Sequence, residues 1–327
     1  MATLTVGTAS AAPGTVAKGH MFVAKHPGGE PYQIPVIVIN GAKDGPVLWV
    51  DGCWHGDEHE GPLAIFEILW SLDPKKLSGA FVGVPVLNVP AFEIPSRHNP
   101  NDIFAYDFGS GYPGSPTGRL THRAQHQHAS ALKAVADLNI AIHSGGHHSW
   151  VGLPIFARDA SLELAKAMGP DWPLLLDSLR PGPPTGVDAL MEEKGAQSIV
   201  CECGGWCATL PQKYRENGKL VARGLRNVMM HFGMLEGQAQ YCQEWWRGYQ
   251  ETVLCDASGL WVPEPHINFM EWYDQGTLLA TIYNLHGEPE QEVRAPSRGV
   301  NFGMRTMPAT HVGDWAVFWG AVRETLR

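Results

Sequence analysis

Short apolar runs alternate with amphipathic segments over the first 250 residues. Apolar and β-branched runs predict buried strands at residues 36–39, 47–50, 81–87, 138–142 and 198–201, the first two joined by a tight turn. Apolar residues at helical spacing predict helices at residues 61–72, 121–137, 162–168 and 214–232. This alternation predicts an α/β fold with a mostly parallel, mixed sheet flanked by helices.

The pattern changes after residue 250, where glycines separate short strand-like runs. These runs predict strands at residues 260–262, 277–285, 292–293, 300–304 and 315–322. Short strands between regularly placed glycines are typical of a small all-β unit. We therefore predict one domain over residues 1–250 and a C-terminal β domain over residues 251–327.

The composition is that of a folded protein with a sizeable core. Apolar residues make up 44% of the chain and charged residues 17%, against about 25% charged in average proteins. The 37 glycines and 25 prolines argue against long helical bundles. The net charge of −9, with no basic run, makes nucleic acid and anionic membranes poor candidate partners.

Neither a membrane span nor a secretory signal is predicted. No apolar stretch approaches the roughly 18 residues that a spanning helix needs, and residues 1–18 lack a basic start followed by an apolar block. The six cysteines contain no C-x-x-C pair, so free thiols in a cytoplasmic protein are expected. A thiolate metal site at Cys201, Cys203 and Cys207 is the weaker alternative, because zinc sites favour pairs of cysteines spaced by two to four residues.

Three clusters rich in histidine and glutamate follow predicted strands directly. They occupy residues 51–62, 143–148 and 202–205. The carboxyl ends of parallel strands meet at one edge of a sheet, where ligands bind. Two imidazoles and a carboxylate are a common ligand set for Zn²⁺ in enzymes, and they leave one coordination position open. The pattern therefore predicts a metal site at this edge.

The first cluster allows two interpretations. His55 to His59 match H-x-x-E-H, a zinc signature that requires both histidines on one helix face. Glycine at positions 52, 56 and 61 disfavours a helix there, at about 1 kcal/mol per residue relative to alanine. A loop that leads into a helix at about Gly61 fits better. In that case His55 and Glu58 bind the metal and His59 does not.

These segments resemble the succinylglutamate desuccinylase/aspartoacylase family, zinc amidohydrolases with a zinc-carboxypeptidase-like fold. The resemblance covers nearly the whole chain and rests on residues 44–46, 54–58, 88–97, 112–114, 142–146 and 202–205. It implies one Zn²⁺ per chain, held by His55, Glu58 and His143. It also implies that Glu202 is the catalytic glutamate and that Arg97 polarises the scissile carbonyl.

One departure from the family pattern concerns the substrate. Relatives that act on acidic substrates carry Asp-Leu-Asn-Arg before Phe-Pro-Gly, and the Asn and Arg hold a substrate carboxylate. Here Gly109 and Ser110 occupy those two positions, so that clamp is missing unless Arg119, Arg123 or Arg158 replaces it. We therefore expect a neutral, bulkier or aryl amide. The predicted substrate contacts are Gly109, Ser110, Tyr112, His147 and Trp206.

Several polar residues near these clusters have open roles. Asp57 either orients a ligand imidazole or shapes its turn. His122 and His126 lie one helical turn apart and can form a metal clamp, but a solvated helix face that includes His128 is the preferred interpretation. Trp54, Trp150 and Trp206 lie near the clusters and either line an aryl pocket or pack in the core. Trp245 and Trp246 are predicted to pack at the domain junction.

The predicted function is zinc-dependent hydrolysis of the amide C–N bond of a small N-acylated compound by a metal-activated water. The alternatives are a zinc carboxypeptidase or a non-catalytic binding relative on the same fold. The C-terminal β domain is predicted to cap the site entrance, with a dimer surface as the other possibility. The expected partner is the small-molecule substrate, with a homo-oligomer left open.

Overall fold

A computed structural model describes residues 2–177, 186–205 and 210–327, and these contain nineteen strands and six α-helices. The strands are β1 Leu4–Val6, β2 Ala9–Ala11, β3 Thr15–Lys25, β4 Pro31–Asn40, β5 Lys43–Asp51, β6 Ser78–Val84, β7 Leu138–His143, β8 Ser149–Val151, β9 Pro154–Ala157, β10 Leu174–Leu176, β11 Gln197–Glu202, β12 Trp245–Leu254, β13 Gly259–Pro263, β14 Glu271–Tyr273, β15 Leu278–Tyr283, β16 Pro289–Arg294, β17 Gly299–Arg305, β18 Ala309–Thr310 and β19 Trp315–Leu326. The helices are α1 Glu60–Ser71, α2 Val89–Glu93, α3 Leu120–Val135, α4 Leu162–Lys166, α5 Gly186–Lys194 and α6 Pro211–His231.

One large mixed sheet of thirteen strands organises the described residues. Its order is β14-β17-β19-β12-β10-β9-β11-β7-β5-β6-β4-β3, and β8 joins beside β17. The strands β6, β5, β7 and β11 are parallel neighbours, whereas the pairs at both flanks and the pair β9–β11 are antiparallel. The predicted α/β fold, a mixed sheet with flanking helices, is confirmed.

The strands β4 and β5 follow each other closely in the chain but do not pair. β6 lies between them, antiparallel to β4 and parallel to β5. The chain leaves β5 through α1 and returns beside it, which is the crossover that a parallel pair requires. The short turn at residues 41 and 42 therefore connects two strands without forming a hairpin.

Helices cover both faces of the sheet because successive strand residues point to opposite sides. On one face, Ile140 and Ile142 of β7 pack in a core with apolar residues of α1, α4 and α6. On the other face, Trp49 and Ala141 pack with residues of α3 and α5. Buried apolar area of this extent is the main stabilising contribution to such a domain.

The C-terminal residues form a strand-rich region, as predicted, but the main sheet continues into them. β12 spans residues 250 and 251, pairing in parallel with β10 and antiparallel with β19. A second sheet has the order β16-β15-β13-β18. Trp245 is buried in the main core, and Trp246 contacts Trp272 with ring centroids 5.5 Å apart. The division into two domains at residue 250 remains a prediction.

The N-terminal strands β1 to β3 were not predicted from the pattern. β3 forms one edge of the main sheet and pairs with β4 over most of its length. Its exposed side chains mix polar residues with the apolar Val16 and Phe22, so the alternation of apolar and polar positions is weak. Within the described part of the chain, no helix is long and apolar enough to cross a membrane.

Candidate active site

The three predicted clusters meet at one edge of the sheet. Each follows the carboxyl end of a parallel strand: β5, β7 or β11. The register places Glu202 opposite His143 and Asp51 opposite Ala141. The loops after these strands therefore open into one common crevice.

The loop between β5 and α1 places His55 and Glu58. It packs tightly: a Cβ on Gly56 would lie 2.0 Å from the backbone carbon of Ala91, so only glycine fits there. Cys53 has a positive φ of 48° and donates a hydrogen bond from its Sγ to the Glu58 carbonyl at 3.0 Å. Because α1 begins at Glu60, residues 55–59 form a loop. The H-x-x-E-H motif is therefore not presented on a helix face.

His55, Glu58 and His143 converge as a metal ligand set requires. One ligand atom from each lies within 4.8 Å of the others. The Glu58 carboxylate bridges the two rings, with Oε1 2.6 Å from His55 Nδ1 and Oε2 2.9 Å from His143 Nδ1. Glu58 Oε2 is buried, and its contact with His143 lacks the geometry of a hydrogen bond. A buried acceptor of this kind is costly unless it binds a cation, so the residues fit a metal ion.

His59 lies apart from these ligands. Its Nε2 is 2.8 Å from the Gly56 carbonyl, and its ring packs against Phe92 at 5.3 Å between centroids. This position agrees with the loop interpretation of the motif. The cysteines of the weaker alternative are also elsewhere: Cys201 and Cys203 are buried in the main core, and Cys207 lies outside the described residues.

The protonation of the cluster reflects its charges. Burial alone would lower the pKa of His55, but the carboxylates of Glu58 and Asp107 outweigh burial and raise it to about 9. Burial would raise the pKa of Glu58, but His55 and His143 hold it well below its usual range. Because an imidazole binds metal only in its neutral form, metal binding here would displace a proton.

Arg97 lies beside the cluster and is held by Asp107. Its Nε and Nη2 donate to Asp107 Oδ2 at 3.1 and 2.8 Å. Its Nη1 is 3.2 Å from His55 Nδ1 and 3.5 Å from Glu58 Oε1. The guanidinium also lies over the Trp315 ring, 5.8 Å from the centroid. These contacts fix a permanent positive charge at the site.

Glu202 ends β11 next to His143. Its removal from water, together with the nearby Glu58 carboxylate, raises its pKa well above the usual value. A carboxyl group that readily keeps its proton suits transfer of that proton to a leaving group.

A cavity of about 460 Å³ contains these groups. This volume is within the usual range for small-molecule sites. The cavity is lined by His55, Glu58 and His143, together with Arg97 and Glu202. Three of the predicted substrate contacts, Gly109, Ser110 and Tyr112, line it as well. His147 is not among the described lining residues, and Trp206 lies outside the described part of the chain.

The three arginines considered as replacement clamps make other contacts. Arg119 lies over the rings of Phe104 and Tyr106, at 5.0 and 4.8 Å from their centroids. Arg123 donates to the Gly118 carbonyl at 2.7 Å, and Arg158 pairs with Glu192 at 2.8 Å. Among the described residues that line the cavity, Arg97 is the only arginine or lysine.

His128 corrects the interpretation of a solvated helix face. It is fully buried, with its Nε2 2.9 Å from Asp51 Oδ1 and its Nδ1 2.9 Å from the Tyr112 hydroxyl. Trp49 and Asn139 donate further hydrogen bonds to Asp51. The signal was present as the stripe Thr121, Gln125, His128 and Leu132, which is a buried helix face despite its polarity.

The other polar candidates make local contacts. Asp57 Oδ2 accepts a hydrogen bond from the His147 backbone N–H at 3.0 Å and lies 3.4 Å from that residue's Nδ1. His122 packs against Tyr106, with centroids 5.5 Å apart. The described residues contain one group of at least three side chains able to hold a metal ion: His55, Glu58 and His143.

Aromatic residues of the C-terminal strands also line the cavity, and the sequence did not point to them. They are Phe302 of β17 and both Trp315 and Phe318 of β19. The predicted aryl-pocket residue Trp54 lines it too, whereas Trp150 packs against Phe269 at 6.3 Å. Pairing between strands that are far apart in the chain brings these rings to the site, so no local sequence pattern indicates them.

The protein-family model of the succinylglutamate desuccinylase/aspartoacylase catalytic domain matches residues 44–229, more than half of the chain. The chain belongs to this family. N-α-acetyl-L-2,4-diaminobutyric acid deacetylase from Halomonas elongata is 28% identical over 312 residues, covering 90% of this chain and 87% of that protein.

Solved structures of relatives support the same assignment. The product-bound ectoine utilization protein EutE from Ruegeria pomeroyi has a TM-score of 0.79 at 26% identity, covering 93% of this chain and 95% of that chain. A succinylglutamate desuccinylase from a Silicibacter species has a TM-score of 0.80 at 25% identity, covering 94% and 95%. The zinc-carboxypeptidase-like fold expected from the family resemblance is confirmed.

Proposed function

We propose that this family member is a zinc-dependent amidohydrolase that removes the acyl group from a small N-acylated compound. Relatives named as a deacetylase and a desuccinylase support amide hydrolysis. The observation that carries the proposal is the convergence of His55, Glu58 and His143 beside Arg97 and Glu202 in one cavity.

His55, Glu58 and His143 would hold the metal. Bound Zn²⁺ supplies a water whose pKa is lowered to about 7 and a Lewis acid for the carbonyl oxygen. The donor set of two imidazoles and one carboxylate is common in catalytic zinc sites. Asp107 contributes to the site indirectly, because its carboxylate accepts hydrogen bonds from two nitrogens of the Arg97 guanidinium group.

Arg97 and Glu202 have separate roles in this mechanism. Arg97 faces the negative charge that develops on the carbonyl oxygen, where one such donor is typically worth about 10²–10³ in rate. Glu202 takes a proton from the attacking water and delivers it to the amide nitrogen, because an amine leaves only when protonated. The raised pKa of Glu202 favours the second step.

The cavity favours a neutral or aryl amide. Gly109 and Ser110 line it. By the family resemblance, these are the two positions that carry the carboxylate clamp in relatives that act on acidic substrates. Arg97, the arginine among the described residues that line the cavity, is already paired with Asp107. Much of the remaining wall is aromatic, including Trp54, Phe156 and Phe302. Such walls bind apolar surface and ring edges well.

Two other functions fit the site less well. A carboxypeptidase needs a cation for the terminal carboxylate of its substrate, and the described cavity wall offers none beyond Arg97. A non-catalytic binding protein has no need for Glu202 and Arg97 beside a complete metal ligand set.

Mass spectrometry of product release from paired acidic and neutral N-acyl amides tests this function. We expect about one Zn²⁺ per chain and turnover of neutral members that is lost on chelation and restored by Zn²⁺. His143→Ala should lose the metal, and Glu202→Gln should keep it but lose turnover. His286→Ala, in an exposed turn, should change neither.

Two results would count against the proposal. A preference for acidic amides would refute the neutral-substrate assignment, and turnover by metal-free protein would refute the zinc mechanism.

A further inference from the structure

The cavity extends from the chemical groups along the face of the sheet. β7 and β11 are parallel neighbours in register, and alternate residues of each point to the same side. At a rise of about 3.3 Å per residue, the second and fourth positions before Glu202 lie roughly 7 and 13 Å from it along the strand. The alternate residues of both strands line this part of the cavity, which we call the slot: Asn139, Ala141, His143, Ser198, Val200 and Glu202.

The middle of this slot is apolar on both sides. Val200 is half-buried and packs against two separate apolar clusters. One contains Ala141, which lines the slot beside Val200. The other contains Phe156 and Phe302, whose ring centroids are 6.2 Å apart. The slot therefore lies between two parts of the core.

The end of the slot is polar but already satisfied. Ser198 Oγ donates to Asn139 Oδ1 at 3.0 Å, and Asn139 Nδ2 donates to Asp51 Oδ2 at 2.9 Å. Asn139 is fully buried. These groups close the slot without requiring a polar partner from a ligand.

We infer that this slot binds an extended apolar substituent on the leaving nitrogen of the substrate. The inference rests on the proposed function, in which Glu202 delivers a proton to that nitrogen. A substituent on a nitrogen beside Glu202 meets Val200 next along the same strand face. Arg97 contacts His55 and Glu58, and in the proposed mechanism it faces the carbonyl oxygen. Val200 is then a specificity-determining residue.

Binding of N-alkylacetamides, from ethyl to decyl, tests the slot without turnover. Calorimetry on zinc-loaded Glu202→Gln protein should show affinity rising about fourfold per methylene, the equivalent of ~0.8 kcal/mol, until the chain reaches Asn139 and Ser198. With wild-type protein, kcat/KM should follow the same order. A matched series of N-methyl amides with lengthening acyl chains should show no such rise.

Two substitutions at Val200 give opposite expectations. Val200→Phe fills the slot. It should lower the affinity for the longer N-alkylacetamides at least tenfold while retaining N-ethylacetamide binding. Val200→Ala opens it and should move the optimum to longer or bulkier substituents. Val16→Phe, a matched change at an exposed position of the edge strand β3, should leave the length profile unchanged.

The outcomes separate the slot from the proposed function. A flat N-alkyl profile, or one that neither Val200 variant alters, overturns the slot. A rise in the acyl series alone overturns its assignment to the nitrogen side. If affinity depends on chain length in the Glu202→Gln protein but wild-type protein hydrolyses none of the amides, the slot is supported and the proposed function is refuted.

Discussion

The buried network under Tyr112 offers the sharpest test of the structure, through His128→Phe. His128 joins the Asp51 carboxylate to the Tyr112 hydroxyl, and Tyr112 forms part of the cavity wall. All three side chains are almost completely buried. Phenylalanine approximates the size of the imidazole but offers neither nitrogen. The substitution therefore isolates the polar contacts from the packing.

The structure sets the size of the expected loss. The Tyr112 hydroxyl loses its partner, and an unsatisfied buried polar group costs about 1–3 kcal/mol. Asp51 keeps the donors of Trp49 and Asn139, at 2.6 and 2.9 Å, but loses the third. A hydrogen bond to a buried carboxylate typically contributes about 1.5–3 kcal/mol. We expect a total loss of ~3–5 kcal/mol in the free energy of unfolding.

Urea denaturation measures this loss if the slope of the transition is unchanged. His126→Phe on the same helix is the matched control, and its half-buried position predicts a change within about 1 kcal/mol. In a double-mutant cycle, Asp51→Asn should cost much less once His128 is already phenylalanine. A loss below about 1 kcal/mol for His128→Phe, or additive effects in the cycle, would refute the network's structural role.

Two further predictions concern the site. Arg97→Ala should lower kcat/KM by about 10²–10³ while zinc content stays at one per chain, since in the proposed mechanism Arg97 stabilises charge and does not bind the metal. Loss of zinc from this variant would show that its role is structural. Glu60 is buried beside Gly205, and burial raises its pKa from 4.5 to about 7. The folded state therefore binds more protons than the unfolded state between pH 4.5 and 7. The free energy of unfolding should fall by up to about 3 kcal/mol as the pH rises through this window. In urea titrations of chelator-treated protein, Glu60→Gln should lower the slope by this contribution and leave that of Glu202, whose pKa is also raised. An unchanged slope would contradict the raised pKa of Glu60.

Several features of the site depend on short stretches of sequence. Glycine at positions 52 and 56 keeps residues 55–59 in a loop, so the loop places His55 and Glu58 directly after a buried strand. His143 and Glu202 likewise lie at the ends of their apolar runs. Such signals depend only on neighbouring residues, which is why they could be read without a structure.

Other features depend on contacts between distant parts of the chain. The register of β7 and β11 sets Glu202 opposite His143, and the pairing of β12 with β10 brings Phe302 and Phe318 to the cavity. His128 has the polarity of a surface residue, and only its burial against Asp51 and Tyr112 shows its role. Local periodicity thus determined which segments become strands, helices and site loops. Strand pairing and burial decided which of their side chains meet, because those contacts join residues far apart in the chain.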